Sequence, residues 1–202
     1  MTTQDAVSPQ GLAVRARHRR NPYTYMLDDT RFAEVLLAAG LRRAESIALG
    51  HGTDGPRGRY PRPCMAFVIL DPTAHAWEPD HEAVLAALTI GDGALPFLPN
   101  AAAKASGHRR THRNHGEAAL VDHHLLGTGN FRYGHSANVR GLIIGASSQT
   151  ADQDLYEAAA LATDLVEALL THHRTWEHQV GAGRWIGDPD PRFQAMVDFF
   201  TD

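Results

Sequence analysis

Lys104, His108, His112 and His115 follow one another at intervals of four, four and three residues, so a helix running from Asn100 to His115 lines these nitrogen-bearing side chains along one face. Neutral imidazole is a common metal ligand and an i, i+4 pair can chelate one ion, which makes His108 with His112, or a pair reaching His115, a candidate metal site. The three cannot share one tetrahedral ion on a straight helix, because seven residues rise about 10.5 Å. A further ligand then has to come from His123, His124 or His135. The same face also permits acid–base chemistry. Histidine suits a base working near neutrality, whereas Lys104 needs burial to depress its pKa, and Asp92 is placed to orient a substrate group. A blander alternative is a solvated basic helix end, because Arg109, Arg110, Arg113 and Asn114 surround the histidines and positive charge is favourable at a helix C-terminus.

The elements that must position this face are partly legible. Val139 to Ala146 is almost continuously apolar, Ser147 and Ser148 suit a turn, and Thr150-Ala-Asp-Gln153 is a capping box. A long helix follows, with Leu155, Ala158, Ala162, Leu165 and Leu169 at helical spacing and Asp152 and Asp154 at the positive end of its dipole. Thr30 to Leu49 carries a second helical pattern through Phe32, Val35, Leu36 and Ala39, with Gly40 as its weak point. Gly50 to Pro63 is too rich in Gly and Pro for regular structure and predicts a long loop. Cys64 to Leu70 reads as a strand stopped by Asp71-Pro72, and Leu85 to Ile90 as another, unless His81 to Leu88 forms a short helix. Gly91-Asp-Gly93 turns the chain, Asn100 is the expected cap of the histidine-bearing helix, and Phe131 to Tyr133 reads as a short strand between turns. These readings divide the chain into a polar N-terminal arm (1–29), one domain (30–173) and a C-terminal extension (174–202) whose aromatic residues require a packing surface.

Composition limits the function. The 202 residues suffice for one substantial core, and a formal net charge of −4 with interspersed signs argues against a nucleic-acid footprint. No apolar run approaches the roughly 20 residues that span a bilayer, and the polar start lacks a signal core, so a cytoplasmic protein without a membrane partner is expected. Cys64, the single cysteine, excludes an internal disulfide and reads as a buried, inert thiol. Neither a phosphate-binding loop, a dinucleotide fingerprint nor a Cys-x-x-Cys motif occurs, and no Gly-x-Ser-x-Gly elbow supports a serine nucleophile.

Asp92-Gly-Ala94, Lys104-Ala105, and Ile144-Gly-Ala-Ser147 followed by Thr150-Ala-Asp-Gln-Asp154, with Val68-Ile-Leu-Asp71 as an earlier strand end, occur in an order that resembles the GlcG/HbpS family, the haem-degrading domain family, over about residues 30 to 170. The chain departs from that pattern at Ile90-Gly91, at Gly107-His108, and at Ser148, where the family has glycine. The resemblance implies an α/β (α+β) sandwich, a central antiparallel sheet packed by helices, assembled as a homo-oligomer. It also implies, as the leading expectation, a protein that binds a small-molecule ligand: haem or another planar metal-containing molecule. On that reading one imidazole among His108, His112 and His115 is the axial ligand, Arg109 or Arg113 pairs with propionates, and Leu95, Phe97 and Leu98 help line an apolar slot. A divalent metal, or no cofactor, is the alternative. The other function class is a small enzyme of specialised or aromatic metabolism using Lys104 or His108 as general base with Asp92.

Overall fold

The structure is a computed structural model and describes residues 3–112, 135–181, 195 and 198–200. Strands β1 (Thr3–Val7) and β2 (Ala13–His18) lead into helix α1 (Asp29–Gly52). Strands β3 (Met65–Leu70) and β4 (Val84–Ile90) precede helix α2 (Leu98–Thr111). Strands β5 (Ser136–Val139) and β6 (Leu142–Ser147) then lead to helix α3 (Ala151–Val180). The strands form one six-stranded antiparallel sheet in the order β1-β2-β4-β3-β6-β5, packed by the three helices, which is the α+β architecture expected.

Strand alternation sends two sets of side chains to opposite faces. Met65, Phe67 and Ile69 of β3 join Leu88 and Ile90 of β4 and Leu142, Ile144 and Ala146 of β6 in the main core beneath α1 and α3. Val68 and Leu70 point the other way and, with Ala101 and Ala105 of α2, make a smaller core. Helix α2 can lie this close because Gly145 has no side chain: a Cβ there would sit 2.0 Å from the Ala101 carbonyl oxygen. Gly40 does the same for α1, where a Cβ would fall 2.9 Å from Val14 and 3.0 Å from Leu88. The residue that weakens α1 as an isolated helix is therefore the one that seats it on the sheet.

Four sequence expectations change. The N-terminal segment is no arm: β2 lies between β1 and β4, with Val14, Ala16 and His18 buried while Ala13, Arg15 and Arg17 face outward. Its arginines occupy the solvent side of a period-two strand, so they do not interrupt the pattern. Residues 84–90 form the expected strand and not the alternative short helix, whereas Ser136, Ala137 and Asn138, expected in a turn from Gly134 to Asn138, pair with β6. Helix α2 starts at Leu98 with Pro99 in its first turn and no side-chain cap, so Asn100 lies inside it. The capping box of α3 is formed as expected, with reciprocal bonds between Thr150 and Gln153. That helix continues beyond His173 to Val180, so the domain boundary set at 173 falls inside it. The expected strand at 131–133 lies outside the described residues. Among the described residues, no helix is long and apolar enough to cross a membrane.

Candidate functional site

Lys104 and His108 do share a face of α2, and that face is turned into the sheet. Lys104 is 1 % exposed; its ammonium donates to the Ala146 carbonyl oxygen at 2.8 Å and to Asp154 Oδ2 at 2.6 Å. Asp154, in the first turn of α3, also accepts the Gln149 N–H at 2.9 Å and a bond from the Ser148 backbone. Burial raises the Asp154 carboxyl above its ordinary range, and the Lys104 charge and the backbone donors pull against that rise. One turn along α2, His108 is buried and its Nδ1 shares a 2.8 Å hydrogen bond with Ser136 Oγ on β5. The two side chains thus fasten α2 to the sheet at two points.

His112 parts from this row. Helix α2 ends at Thr111, and His112 takes a left-handed backbone (φ 55°) as its C-cap, with an exposed side chain. It lines an open hollow of about 510 Å³ together with Arg109, Arg110, Leu70, Pro72 and Ile143. Arg109 is committed within the protein: it donates to Asp80 at 2.7 Å, to the Glu78 carbonyl at 2.9 Å and to the His75 carbonyl at 2.6 Å, fixing the loop between β3 and β4. Arg20 holds the same loop from the other side through Glu78 and Asp71. His115 and Arg113, like His123 and His124, lie outside the described residues, and His135 has a left-handed backbone (φ 79°) before β5.

The expected three-histidine face is therefore not one environment. His108 is closed in the helix–sheet seam while His112 stands at the hollow, and among the described residues no group of three His, Cys, Asp or Glu side chains is placed to hold a metal ion. Asp92 is exposed in the turn after β4 and borders two other hollows, neither of which is lined by Lys104 or His108. The slot residues also separate: Leu98 packs in the smaller core, Leu95 is exposed, and Phe97 lies under the Arg62 guanidinium at 5.3 Å.

Sequence reasoning missed several polar residues that the fold makes important. Asp154 reads as a dipole-compensating acid, and only the tertiary approach of α2 reveals it as the partner of Lys104. Glu157 is wholly buried between helices, accepting from Tyr60 at 2.8 Å and Ser46 at 2.7 Å beside Arg43 at 3.4 Å. Its place among Leu161, Ala158 and Leu165 on the buried face of α3 was the available signal. Ser148 adopts φ 151°, a conformation that favours glycine, and its hydroxyl donates to the Cys64 carbonyl. Cys64 is buried, and burial raises its thiol pKa, as expected of an inert cysteine. Comparison with family models, curated proteins and solved structures returns no match.

Proposed function

We propose that the chain is a small-molecule binding protein whose ligand sits at the C-terminal end of α2, with His112 as its nitrogen contact. The observation that carries this reading is the hollow of about 510 Å³, in which an exposed imidazole, two arginines and the acidic residues Asp71, Glu78 and Asp80 meet an apolar wall of Leu70, Pro72 and Ile143. Its size suits a small organic ligand, and an apolar wall beside groups that can fix a ligand's orientation is a usual feature of such sites. Haem or another planar metal-containing molecule remains the ligand class to which the imidazole points.

The described residues fit haem only in part. His108 is shut in the seam, and three of the five Arg109 N–H donors are taken by Asp80 and two carbonyls, so this arginine shapes the wall and has few donors left for propionates. Among the described residues, His112 is the member of the expected set left to meet iron. The general-base reading has less support, because Lys104 is held by Asp154 and Ala146, and Asp92 borders different hollows. The test is a haemin titration of the purified protein: a Soret shift that His112→Ala removes and His108→Gln retains is expected. An absent shift, or one indifferent to His112, overturns the haem assignment. Loss of the shift in His108→Gln, with His112→Ala normal, transfers the contact to the seam and overturns the hollow.

A further inference from the structure

Beside Phe97, the residue that precedes α2, a second hollow of about 460 Å³ is lined by Arg62, Cys64, Asp92 and Phe97 and by the backbone of Gly91 and Gly93. Among the described residues five arginines, Arg15, Arg20, Arg42, Arg43 and Arg109, stand within ion-pairing distance of a carboxylate, while Arg19, Arg57, Arg59 and Arg62 are among those that do not. Arg62 has no such partner among the described residues, although its head group is firmly placed: Nη1 donates to the Ser148 carbonyl at 2.7 Å and the guanidinium lies over the Phe97 ring. A guanidinium carries five N–H donors, so most of its fork stays available at the hollow.

The backbone behind Arg62 is fixed as well. Gln149 Nε2 donates to the carbonyls of Arg62 and Cys64, both at 2.8 Å, and Gln149 Oε1 accepts the Arg62 N–H at 3.2 Å. The Ser148 hydroxyl adds a further bond to the Cys64 carbonyl, made from a residue in a glycine-like conformation. Backbone strain held by surrounding bonds is a mark of functional sites, and prior ordering of a binding group lowers the entropic cost of recognition. A neighbouring hollow of about 350 Å³ shares Ala13, Gly91 and Asp92 and reaches Leu95 and Thr89, giving room for a ligand body that extends past the guanidinium.

We propose that Arg62 and the hollow beside it form a second ligand site, which recognises a small organic monocarboxylate: the carboxylate on the Arg62 fork and an apolar body against Phe97. Planar carboxylate matches guanidinium geometry in two parallel hydrogen bonds, whereas phosphate-sized dianions meet the Asp92 carboxylate at the same hollow. This site is independent of the His112 hollow, and failure of either leaves the other standing.

The test is an amide-resolved NMR titration of the full chain with benzoate, its neutral isostere benzamide and the cation benzylamine. Benzoate is expected to shift the Gly91 and Gly93 amides, with benzamide weaker on the order of tenfold and benzylamine without effect. Arg62→Gln abolishes the preference for benzoate and Arg62→Lys keeps a weakened one, while Asp92→Asn tightens benzoate by removing the nearby negative charge. Haemin binding is unchanged in all three. Equal binding of benzoate and benzamide, an undisturbed benzoate response in Arg62→Gln, or no shift at the two glycines with any probe overturns the proposal. The comparison of the three probes on the unmodified protein does not depend on the variants folding.

Discussion

Removal of the Lys104 ammonium is the most informative perturbation, because it tests whether this nitrogen holds the fold or serves chemistry. In Lys104→Met, Asp154, only 3 % exposed, keeps the Gln149 and Ser148 backbone donors but loses its counter-charge. Deleting one partner of a buried ion pair costs about 3–5 kcal/mol, since the remaining charge stays desolvated. That is a large part of the ~5–15 kcal/mol that stabilises an ordinary domain. Asp154→Asn strands the ammonium instead and costs a similar amount. The double variant strands neither charge, so its cost falls close to that of one single variant, far below the ~6–10 kcal/mol that additivity requires.

Urea unfolding followed by far-UV circular dichroism measures all four proteins through their midpoints at constant slope. Acid supplies an internal control. Burial already raises Asp154, and a carboxyl with a raised folded value contributes stability that is present in acid and lost as pH rises through that value. Without Lys104 the rise is larger, so the cost of Lys104→Met shrinks as pH is lowered and Asp154 takes up a proton. In the Asp154→Asn background the cost of Lys104→Met does not follow this titration. A cost below about 1 kcal/mol for Lys104→Met, or simple additivity in the cycle, refutes the clamp, because water or another cation would then have to reach Asp154.

Two backbone predictions test the ground on which the sites stand. Ser148→Ala keeps the glycine-like φ and loses the hydroxyl bond to Cys64, costing about 1 kcal/mol, whereas Ser148→Gly loses the same bond but relieves strain of ~1–3 kcal/mol. The glycine variant should therefore melt above the alanine variant, and equal melting points mean an unstrained backbone there. Gly145→Ala drives a methyl group to within 2.0 Å of the Ala101 carbonyl oxygen and 2.9 Å of the Ala105 nitrogen. Backbone cannot rotate aside, so α2 has to lift, at about 3 kcal/mol or more, and any His112-dependent ligand response weakens with it. Unaltered melting and ligand response would show that α2 is not seated on β6.

The readable parts of this chain are those whose cause is local. The capping box brings Thr150 and Gln153 together within one turn, and the β3 run Met65 to Leu70 is buried along its whole length, so composition alone declares it. Partners distant in sequence leave no such mark: Lys104 meets Asp154 fifty positions away. The N-terminal hairpin hides for a different reason. Arg15, Arg17 and the residues around them look like a polar cluster in a helical frame, yet the same letters read in steps of two place Val14, Ala16 and His18 in the core. The histidine row shows the limit of spacing arguments. Intervals of four predict that Lys104, His108 and His112 leave the helix in one direction, and the first two do. What surrounds them depends on where the helix stops and what it packs against. Gly145 draws α2 onto the sheet beneath Lys104, Ser136 meets His108, and the left-handed turn at His112 carries the third side chain out to the open hollow. The row that sequence presents as one ligand face thus divides into a fastening inside the seam and a side chain at the open hollow.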